Sequence, residues 1–193
     1  YPRLEESSIT YKSTHVMSIL EGEKRPGHFL GVLTIVHKLF SIINPDIAYF
    51  GEKDYQQLYI IREFVENRNI NIQIKSCATI RDTSGLALSS RNKNLTIKEK
   101  AIALNIFKAL NLFKEHIMHK NINALDLEEL KENTINHLQK EPLIKLDYFE
   151  VIENENFRFA KETSMNKNYR ILIAAYVGKV RLIDNIYIKG RPC

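Results

Sequence analysis

The length and composition of the chain indicate a globular protein and exclude several other classes. Its 193 residues are 44% hydrophobic and 26% charged, which is typical of one large domain or two small ones. No apolar run approaches the roughly 20 residues that a membrane-spanning helix needs, and no secretory signal pattern opens the chain. Cys77 and Cys193 form neither a disulfide framework nor a metal-binding spacing, which suits a reducing cytoplasm.

The net charge of +5 is spread along the chain rather than gathered in a tail or stripe. A solvated Lys-rich surface explains it best, then a phosphate-bearing small ligand, then nucleic acid. Because no aromatic-plus-basic RNA signature and no zinc-finger spacing is present, we expect no nucleic-acid partner. The lack of a long apolar run predicts no membrane partner. His116 and His119 share a helical face, but two ligands make a weak metal site.

The first part of the chain is predicted to alternate between helices and strands. Residues 1–29 are predicted as loop with a short extended piece, in a chain that opens at Tyr1 without Met and that we expect to be a fragment. A helix is predicted over residues 30–43, stopped by Pro45, and a buried strand over residues 46–50. The apolar positions of that helix are Leu33, Val36, Phe40 and Ile43.

A second helix and a second strand follow. Asp54 is a plausible N-cap, Leu58, Ile61 and Val65 mark the packed face of the helix after it, and the Ile-rich stretch 70–80 is predicted as a strand. This order predicts a parallel α/β sheet, in which ligands bind at the carboxyl ends of the strands.

The remainder of the chain is predicted to be a small α+β module. Thr96 and Glu99 form a capping box before a long helix, a second helix follows, and three strand-like runs close the chain. The predicted boundaries are 1–82 for the parallel α/β domain and 83–193 for this module. The predicted apolar face of the long helix comprises Ile97, Ala101, Leu104, Phe107, Leu110 and Phe113.

The stretch "GEKD", residues 51–54, lies between the end of the first predicted strand and the start of the helix that follows it. Free N–H groups and the positive end of the helix dipole suit a phosphate there, Gly51 permits close approach of a ligand, and Lys53 can reach phosphate oxygens. Asp54 could cap the helix or accept hydrogen bonds from ribose hydroxyls. A capped helix with a surface Lys53–Asp54 salt bridge is the alternative, and spacing alone favours it.

Two further stretches carry candidate binding groups. In "GLALSSRN", residues 85–92, two hydroxyls and a guanidinium on one loop could wrap a phosphate, or the stretch could be a Ser-rich hinge with a solvated Arg91. In "RPGHF", His28 could contact a substrate or be a structural loop histidine. The sequence contains no nucleophilic triad spacing and no Walker or dinucleotide glycine fingerprint.

Taken together, "LEGEKRPGHF", "NPDIAYFGEKDYQQL", "SGLALSSRN" and "RLIDNI" closely resemble the pantothenate synthetase (pantoate–β-alanine ligase) family, in order and at matching intervals. The resemblance covers essentially the whole chain. It implies a Rossmann-like nucleotidyltransferase domain, with its N-terminal part missing here, followed by a small α+β lid domain. It also implies ligation of D-pantoate to β-alanine with ATP and Mg²⁺ through a pantoyl-adenylate, in a cytoplasmic homodimer.

The same resemblance implies the site residues. Lys53, Ser89 and Arg91 would be catalytic, Gln57 and His28 would contact pantoate, and Glu21 would line the site; the metal ligands stay unknown. The family's "HxGH" motif would lie upstream of Tyr1, so we expect the isolated chain not to catalyse the ligation; an inactive binding or dimerisation fragment is the alternative function. The ATP-binding residues implied are Gly51, Glu52, Lys53, Asp54, Ile80, Leu88, Ser89, Ser90 and Arg91.

One position departs from the family's pattern. The family usually has Pro-Thr where this chain has Ala78-Thr79, directly before the proposed adenine contact at Ile80.

Overall fold

The computed structural model describes residues 14–191, and the chain divides into two compact units, Tyr1–Ala78 and Thr79–Cys193. The domain boundary predicted after residue 82 lies close to this division. The first unit is a parallel α/β arrangement and the second is α+β, so the predicted fold class is confirmed.

The described part of the first unit begins with helices rather than with loop. A 3-10 helix spans His15–Ser18, α1 spans Glu21–Lys24 and α2 spans His28–Ile43. The loop prediction is therefore wrong for these segments, and its portion over residues 1–13 lies outside the described residues. Helix α2 ends where Asn44 turns into the left-handed region and donates its N–H to the carbonyl of Phe40, and Pro45 then prevents continuation.

Two parallel strands flank the next helix, as the sequence predicts. Strand β1 spans Ile47–Gly51, a 3-10 turn covers Glu52–Asp54, α3 spans Tyr55–Asn67 and β2 spans Gln73–Cys77. The strands pair in parallel from Ile47 opposite Gln73 to Gly51 opposite Cys77. Gly51 is consequently the last residue of β1, at the carboxyl end where ligands bind in such sheets.

Burial in the first unit differs from the prediction at β1. The strand is predicted to be buried, yet Ile47 is 37% exposed and Tyr49 is 64% exposed. Helix α2 contacts β1 through an edge-to-face pair of Phe40 with Phe50, at 6.4 Å between ring centroids. Ala48 and Phe50 are half-buried and no residue of β1 is fully buried, so the prediction of a buried strand is wrong.

The second unit packs two helices on an antiparallel sheet. Helix α4 spans Ile97–Met118 and α5 spans Ala124–Gln139; the strands β3 (Ile144–Glu153), β4 (Tyr169–Val177) and β5 (Val180–Ile188) lie in the order β3-β4-β5. Thr96 and Glu99 form the predicted capping box: the Thr96 hydroxyl accepts from the Glu99 N–H, and the Glu99 carboxylate accepts from the Thr96 N–H.

The core of the second unit lies between α4 and the sheet, where Phe113 meets Phe149 edge to face at 5.0 Å between ring centroids. The predicted apolar face of α4 is only partly right. Leu110 and Phe113 are buried, but Ile97 is 90% exposed and Phe107 is only half-buried. The buried side chains of α4 are Ile102, Ala103, Ile106, Ala109, Leu110, Phe113 and Ile117.

Among the helices of residues 14–191, none combines the length and apolar character that crossing a bilayer would require.

Candidate functional site

The "GEKD" stretch forms the turn between β1 and α3. Gly51 ends the strand, Glu52–Asp54 make one 3-10 turn, and α3 begins at Tyr55. The ammonium of Lys53 lies 3.9 Å from the carboxylate of Asp54, with the Lys53 side chain 17% exposed and the Asp54 side chain 51% exposed. A cation and an open carboxylate therefore stand at the N-terminus of a thirteen-residue helix, whose dipole favours anions.

Asp54 occupies the N-cap position of α3, as predicted, but its side chain makes no capping hydrogen bond. An N-cap residue ordinarily has extended backbone, which aims its side chain at the first free N–H groups of the helix. Asp54 instead follows a 3-10 turn, with φ of −98° and ψ of 60°. The prediction that Asp54 caps the helix is therefore wrong, and its carboxylate pairs with Lys53.

Gly51 has no need to be glycine within the described structure. Its φ of −72° is accessible to any residue, and a Cβ added there would meet no heavy atom of the described residues within 4 Å. The space that a side chain at position 51 would occupy is therefore open among the described residues. It lies at the carboxyl end of β1, close to the N-terminus of α3.

The two glutamines of "DYQQL" have different environments. Gln56 is 5% exposed, and its amide nitrogen donates to the carbonyls of Val16, at 2.7 Å, and Ile19, at 2.8 Å. Its amide oxygen accepts from the N–H of Glu21, at 3.1 Å. Gln56 thus fastens the segment before α1 to α3, whereas Gln57, the predicted pantoate contact, is half-buried.

Gln56 was missed by the sequence analysis. A usable signal exists, because Gln56, Ile60 and Phe64 follow one another at helical spacing and the last two are apolar. All three are buried.

His28 and Glu21 lie in the first unit, on neighbouring short segments. His28 is the first residue of α2, is half-buried, and has its ring 5.1 Å from that of Phe29. Glu21 opens α1 and is 7% exposed, which is unusual for a carboxylate. The roles of His28 as a pantoate contact and of Glu21 in lining the site stay predictions.

The second group of predicted residues lies in a segment that we name the SSR loop, residues 80–94. Ile80 and Leu88 are joined by a backbone hydrogen bond of 2.9 Å, with both side chains exposed, and Ser89 is half-buried. The Ser89 hydroxyl accepts from the N–H of Arg91 at 3.2 Å, which begins a 3-10 helix over Ser90–Asn94. The Ser90 and Arg91 side chains are exposed.

The turn of the SSR loop is organised by Asp82. Its carboxylate accepts hydrogen bonds from the Ser84 hydroxyl and N–H and from the Leu86 N–H, at 3.1 Å for the last. These bonds, that from the Ser84 hydroxyl above all, lower the pKa of the Asp82 carboxyl below its usual range. The loop is therefore held by its own side chains before any ligand is considered.

Within residues 14–191, no group of three or more His, Cys, Asp or Glu side chains is arranged to hold a metal ion. His119 instead lies 3.5 Å from the carboxylate of Glu115 and 3.0 Å from the guanidinium of Arg191.

Two residues that the sequence analysis did not single out also belong to the SSR loop and its support. Arg81 makes a two-pronged ion pair with Asp184 on β5, at 2.6 and 2.8 Å. Asp184 stands within "RLIDNI", but nothing in the spacing pairs it with an arginine 103 residues earlier in the chain.

A parallel strand–helix–strand unit with a charged turn at its carboxyl edge, followed by an α+β unit, defines a protein of the α/β class with a fold consistent with the nucleotidyltransferases. The chain belongs to the pantoate-beta-alanine ligase family, whose model matches residues 1–187.

Relatives and solved structures agree with this assignment. The pantothenate synthetase of Azobacteroides pseudotrichonymphae is 43% identical over 91% of this chain and 61% of that protein. The crystal structure of pantothenate synthetase from Thermus thermophilus matches with a TM-score of 0.81 at 31% identity, over 92% of this chain and 62% of that one.

A third relative was solved with ligands. The pantoate-beta-alanine ligase of Francisella tularensis, complexed with beta-gamma ATP and beta-alanine, matches with a TM-score of 0.64 at 39% identity, over 92% of this chain and 57% of that one. The chain thus spans 57 to 62% of the length of these three relatives.

Proposed function

We propose that this chain takes part in the ATP-dependent ligation of D-pantoate and β-alanine to pantothenate, releasing AMP and pyrophosphate. The observation that carries the proposal is the turn at the end of β1. There, Gly51 has neither a conformational nor a packing requirement for glycine among the described residues, and Lys53 lies beside it at a helix N-terminus. The β-alanine and ATP complex of the Francisella tularensis relative supports the substrates.

The first step is transfer of an adenylyl group. A carboxylate oxygen of pantoate attacks the α-phosphorus of ATP, the bond to the β-phosphate oxygen breaks, and pyrophosphate leaves. Negative charge grows on the oxygens of the α-phosphate and on the leaving group. Lys53, Ser89 and Arg91 are proposed to stabilise that charge, since a positioned cation or hydroxyl donor is most effective where charge develops.

The second step forms the amide. The amine of β-alanine attacks the carbonyl carbon of the pantoyl-adenylate, the bond between that carbon and the AMP oxygen breaks, and the amine loses a proton. No covalent bond to the protein forms in either step. The proposal therefore requires positioning and electrostatic groups but no protein nucleophile.

The other residues are proposed to bind and orient the substrates. The backbone of Gly51 allows close approach of ATP, Asp54 accepts from the ribose hydroxyls, and the Ile80 backbone contacts adenine. Gln57 and His28 are proposed to hold pantoate, with Gln57 on the first turn of α3. The Asp54 carboxylate is exposed and is therefore accessible to a ligand.

The remaining ATP contacts are proposed on the resemblance. Glu52 lies in the 3-10 turn between Gly51 and Lys53, and Leu88 and Ser90 flank Ser89 in the SSR loop.

Mg²⁺ is proposed as the metal that accompanies ATP, supplying charge stabilisation on the phosphates. Mg²⁺ usually keeps several waters and is held by one or two carboxylates together with substrate phosphates. Within residues 14–191 no group of three or more His, Cys, Asp or Glu side chains is arranged for a metal, which fits a Mg²⁺ held mainly by ATP phosphates and water. No residue is assigned as a metal ligand.

The proposal is tested by measuring AMP formation with ATP, D-pantoate and β-alanine, using the protein as the cell makes it. AMP should form only when D-pantoate is present, and pantothenate should accumulate in equal amount when β-alanine is added. A panel of other carboxylates in place of D-pantoate should give no AMP. Equal AMP formation with several carboxylates would contradict the proposed substrate.

The assembly and the contribution of the chain by itself are inferred from the resemblance. We propose that the protein is a homodimer in the cytoplasm. Sedimentation of the native protein would measure its oligomeric state. We also propose that residues 1–193 expressed by themselves bind ATP without turnover. Near-normal AMP formation by that segment would overturn this second point, and absence of ATP binding would favour a dimerisation role.

A further inference from the structure

The side chain of Arg81 makes polar contacts that tie the SSR loop to the rest of its unit. The guanidinium donates to both carboxylate oxygens of Asp184 on β5, at 2.6 and 2.8 Å, and to the carbonyl of Gly85 within the loop, at 3.2 Å. It also lies over the ring of Phe107 on α4, 3.9 Å from the ring centroid. A single group thus links the loop to the sheet, to the helix and to the loop's own turn.

The ion pair between Arg81 and Asp184 is well shielded and has the geometry of a strong interaction. The side chains are 18% and 7% exposed, and two parallel N–H donors meet two carboxylate oxygens. Two-pronged pairs of this kind fix orientation as well as distance, which a lysine cannot do. The ring beneath the guanidinium adds a cation–π contact.

The contacts of Arg81 continue along the backbone towards the exposed end of the loop. Arg81 pairs with Ala87 as an isolated antiparallel bridge, and the Ala87 carbonyl accepts from the side-chain amide of Asn92, at 2.9 Å. Between these two points lie Ser89 and Arg91, whose own hydrogen bond starts the 3-10 helix. The backbone of the segment is therefore anchored on both sides of Ser89 and Arg91.

We propose that Arg81 and Asp184 are positioning residues for adenylyl transfer: they hold the SSR loop so that Ser89 and Arg91 meet the phosphates in one geometry. This inference rests on the proposed function. Neither residue is assigned a contact with ATP, because the guanidinium and the carboxylate are already engaged with each other. We call Arg81, Asp184 and Phe107 the clamp. The contact of Phe107 with the Arg81 guanidinium explains why Phe107 is only half-buried and lies off the core stripe of α4.

The same sheet offers a matched control pair. Arg181 on β5 donates from Nη2 and Nε to one carboxylate oxygen, Oδ2, of Asp147 on β3, at 2.8 and 2.9 Å, with side chains 19% and 15% exposed. This pair resembles the clamp in chemistry, burial and sheet, but it joins two strands and does not involve the SSR loop. Arg181→Lys therefore estimates what loss of a shielded arginine–carboxylate ion pair does to the unit in general.

The test compares Arg81→Lys with Arg181→Lys in the protein as the cell makes it. Both substitutions should lower the thermal midpoint by similar amounts. Only Arg81→Lys should speed backbone amide exchange in residues 86–95, and only it should lower kcat/KM for ATP. A loss of about 100-fold is expected, since a misplacement of about 1 Å can cost that much. Equal effects of the two variants on loop exchange and on kcat/KM would overturn the proposal.

Two more variants keep the proposal testable if Arg81→Lys fails to fold. Phe107→Leu removes the ring beneath the guanidinium and leaves the ion pair, and it should also speed exchange in the loop. In a double-mutant cycle, Arg81→Lys with Asp184→Asn should be no worse in kcat/KM than either single change, because the two residues act as one unit. Additive losses, or unchanged loop exchange in Phe107→Leu, would contradict the clamp.

A failure of the proposed function can be distinguished from a failure of the proposed role of Arg81. If the native protein forms no AMP from ATP and D-pantoate, the proposed function fails. The exchange comparison needs no substrate and still decides whether Arg81 holds the loop.

Discussion

Replacing Gly85 with alanine should destabilise the second unit through two independent effects. Gly85 has a φ of +99°, a conformation that L-residues rarely adopt. An alanine Cβ there would also lie 2.8 Å from Cδ1 and 3.1 Å from Cε1 of the Phe107 ring, well inside van der Waals contact. The ring cannot swing away freely, because the Arg81 guanidinium lies over it at 3.9 Å.

The expected loss of unfolding free energy follows from these terms. The left-handed conformation costs an L-residue roughly 1 to 2 kcal/mol, and crowding a packed side chain costs about 1 to 3 kcal/mol. The reduced entropy of the unfolded chain returns about 0.4 to 1 kcal/mol. The net destabilisation is about 1 to 5 kcal/mol, and its central value of about 3 kcal/mol lowers Tm by roughly 6 to 12 °C.

The measurement is thermal unfolding followed by circular dichroism, with Gly51→Ala as the matched control. Gly51 has an ordinary φ and open space around its Cβ direction, so that substitution should leave Tm unchanged or raise it slightly. A Gly85→Ala protein whose Tm stays within about 1 °C of the parent would refute the reasoning.

Three further predictions address the site and its support. Lys53→Ala should lower the rate of adenylate formation by roughly 100-fold or more, as removal of a single transition-state donor does in other enzymes. An unchanged rate in a pyrophosphate-exchange assay would contradict the proposed role of Lys53. Thr96→Ala removes the N-cap of α4 and should cost about 1 kcal/mol in urea unfolding, with Lys98→Ala, in the first turn of α4, as the neutral control. Hydrogen bonds within the loop lower the pKa of the Asp82 carboxyl in the folded protein. The stability that these bonds contribute is therefore fully present above the ordinary aspartate pKa of about 4, and it is lost as the pH falls through the lower pKa of the folded state. The Leu86 amide shift should therefore titrate below pH 4, and should not do so in Asp82→Asn; a midpoint at or above pH 4 would count against this account.

The parallel pairing and the capping box could be predicted because each is encoded locally. Thr96 and Glu99 stand three residues apart, and their reciprocal hydrogen bonds need no other part of the chain. The strand–helix–strand order between Ile47 and Cys77 similarly follows from short apolar runs on either side of an amphipathic segment.

Burial was harder to predict, since it depends on what covers each element. The predicted stripe of α4 included Phe107, which has the right spacing for a core residue but packs against Gly85 and Arg81 instead. Strand β1 has the composition of a buried strand, yet Ile47 and Tyr49 on it are exposed. Sequence periodicity indicates which face of a helix or strand is apolar, but it does not indicate which other element packs against that face.

The candidate site, like the fold, could be predicted from the sequence only in part. The residue types of "GEKD" and "GLALSSRN" indicated phosphate binding, but spacing alone favoured a capped turn at Asp54, and Asp54 does not cap. The support of the SSR loop could not be predicted at all, because Arg81 and Asp184 are 103 residues apart and become partners only when β5 joins the sheet.

Oxygen transfer tests the central claim most directly. D-pantoate labelled with ¹⁸O in its carboxylate would be incubated with ATP, β-alanine and the native protein, and the AMP would be analysed by mass spectrometry. If the carboxylate attacks the α-phosphorus and the amine then breaks the carbon–oxygen bond, one ¹⁸O atom passes to each AMP formed. AMP without ¹⁸O, alongside labelled pantothenate, would contradict the pantoyl-adenylate and the site residues proposed to form it.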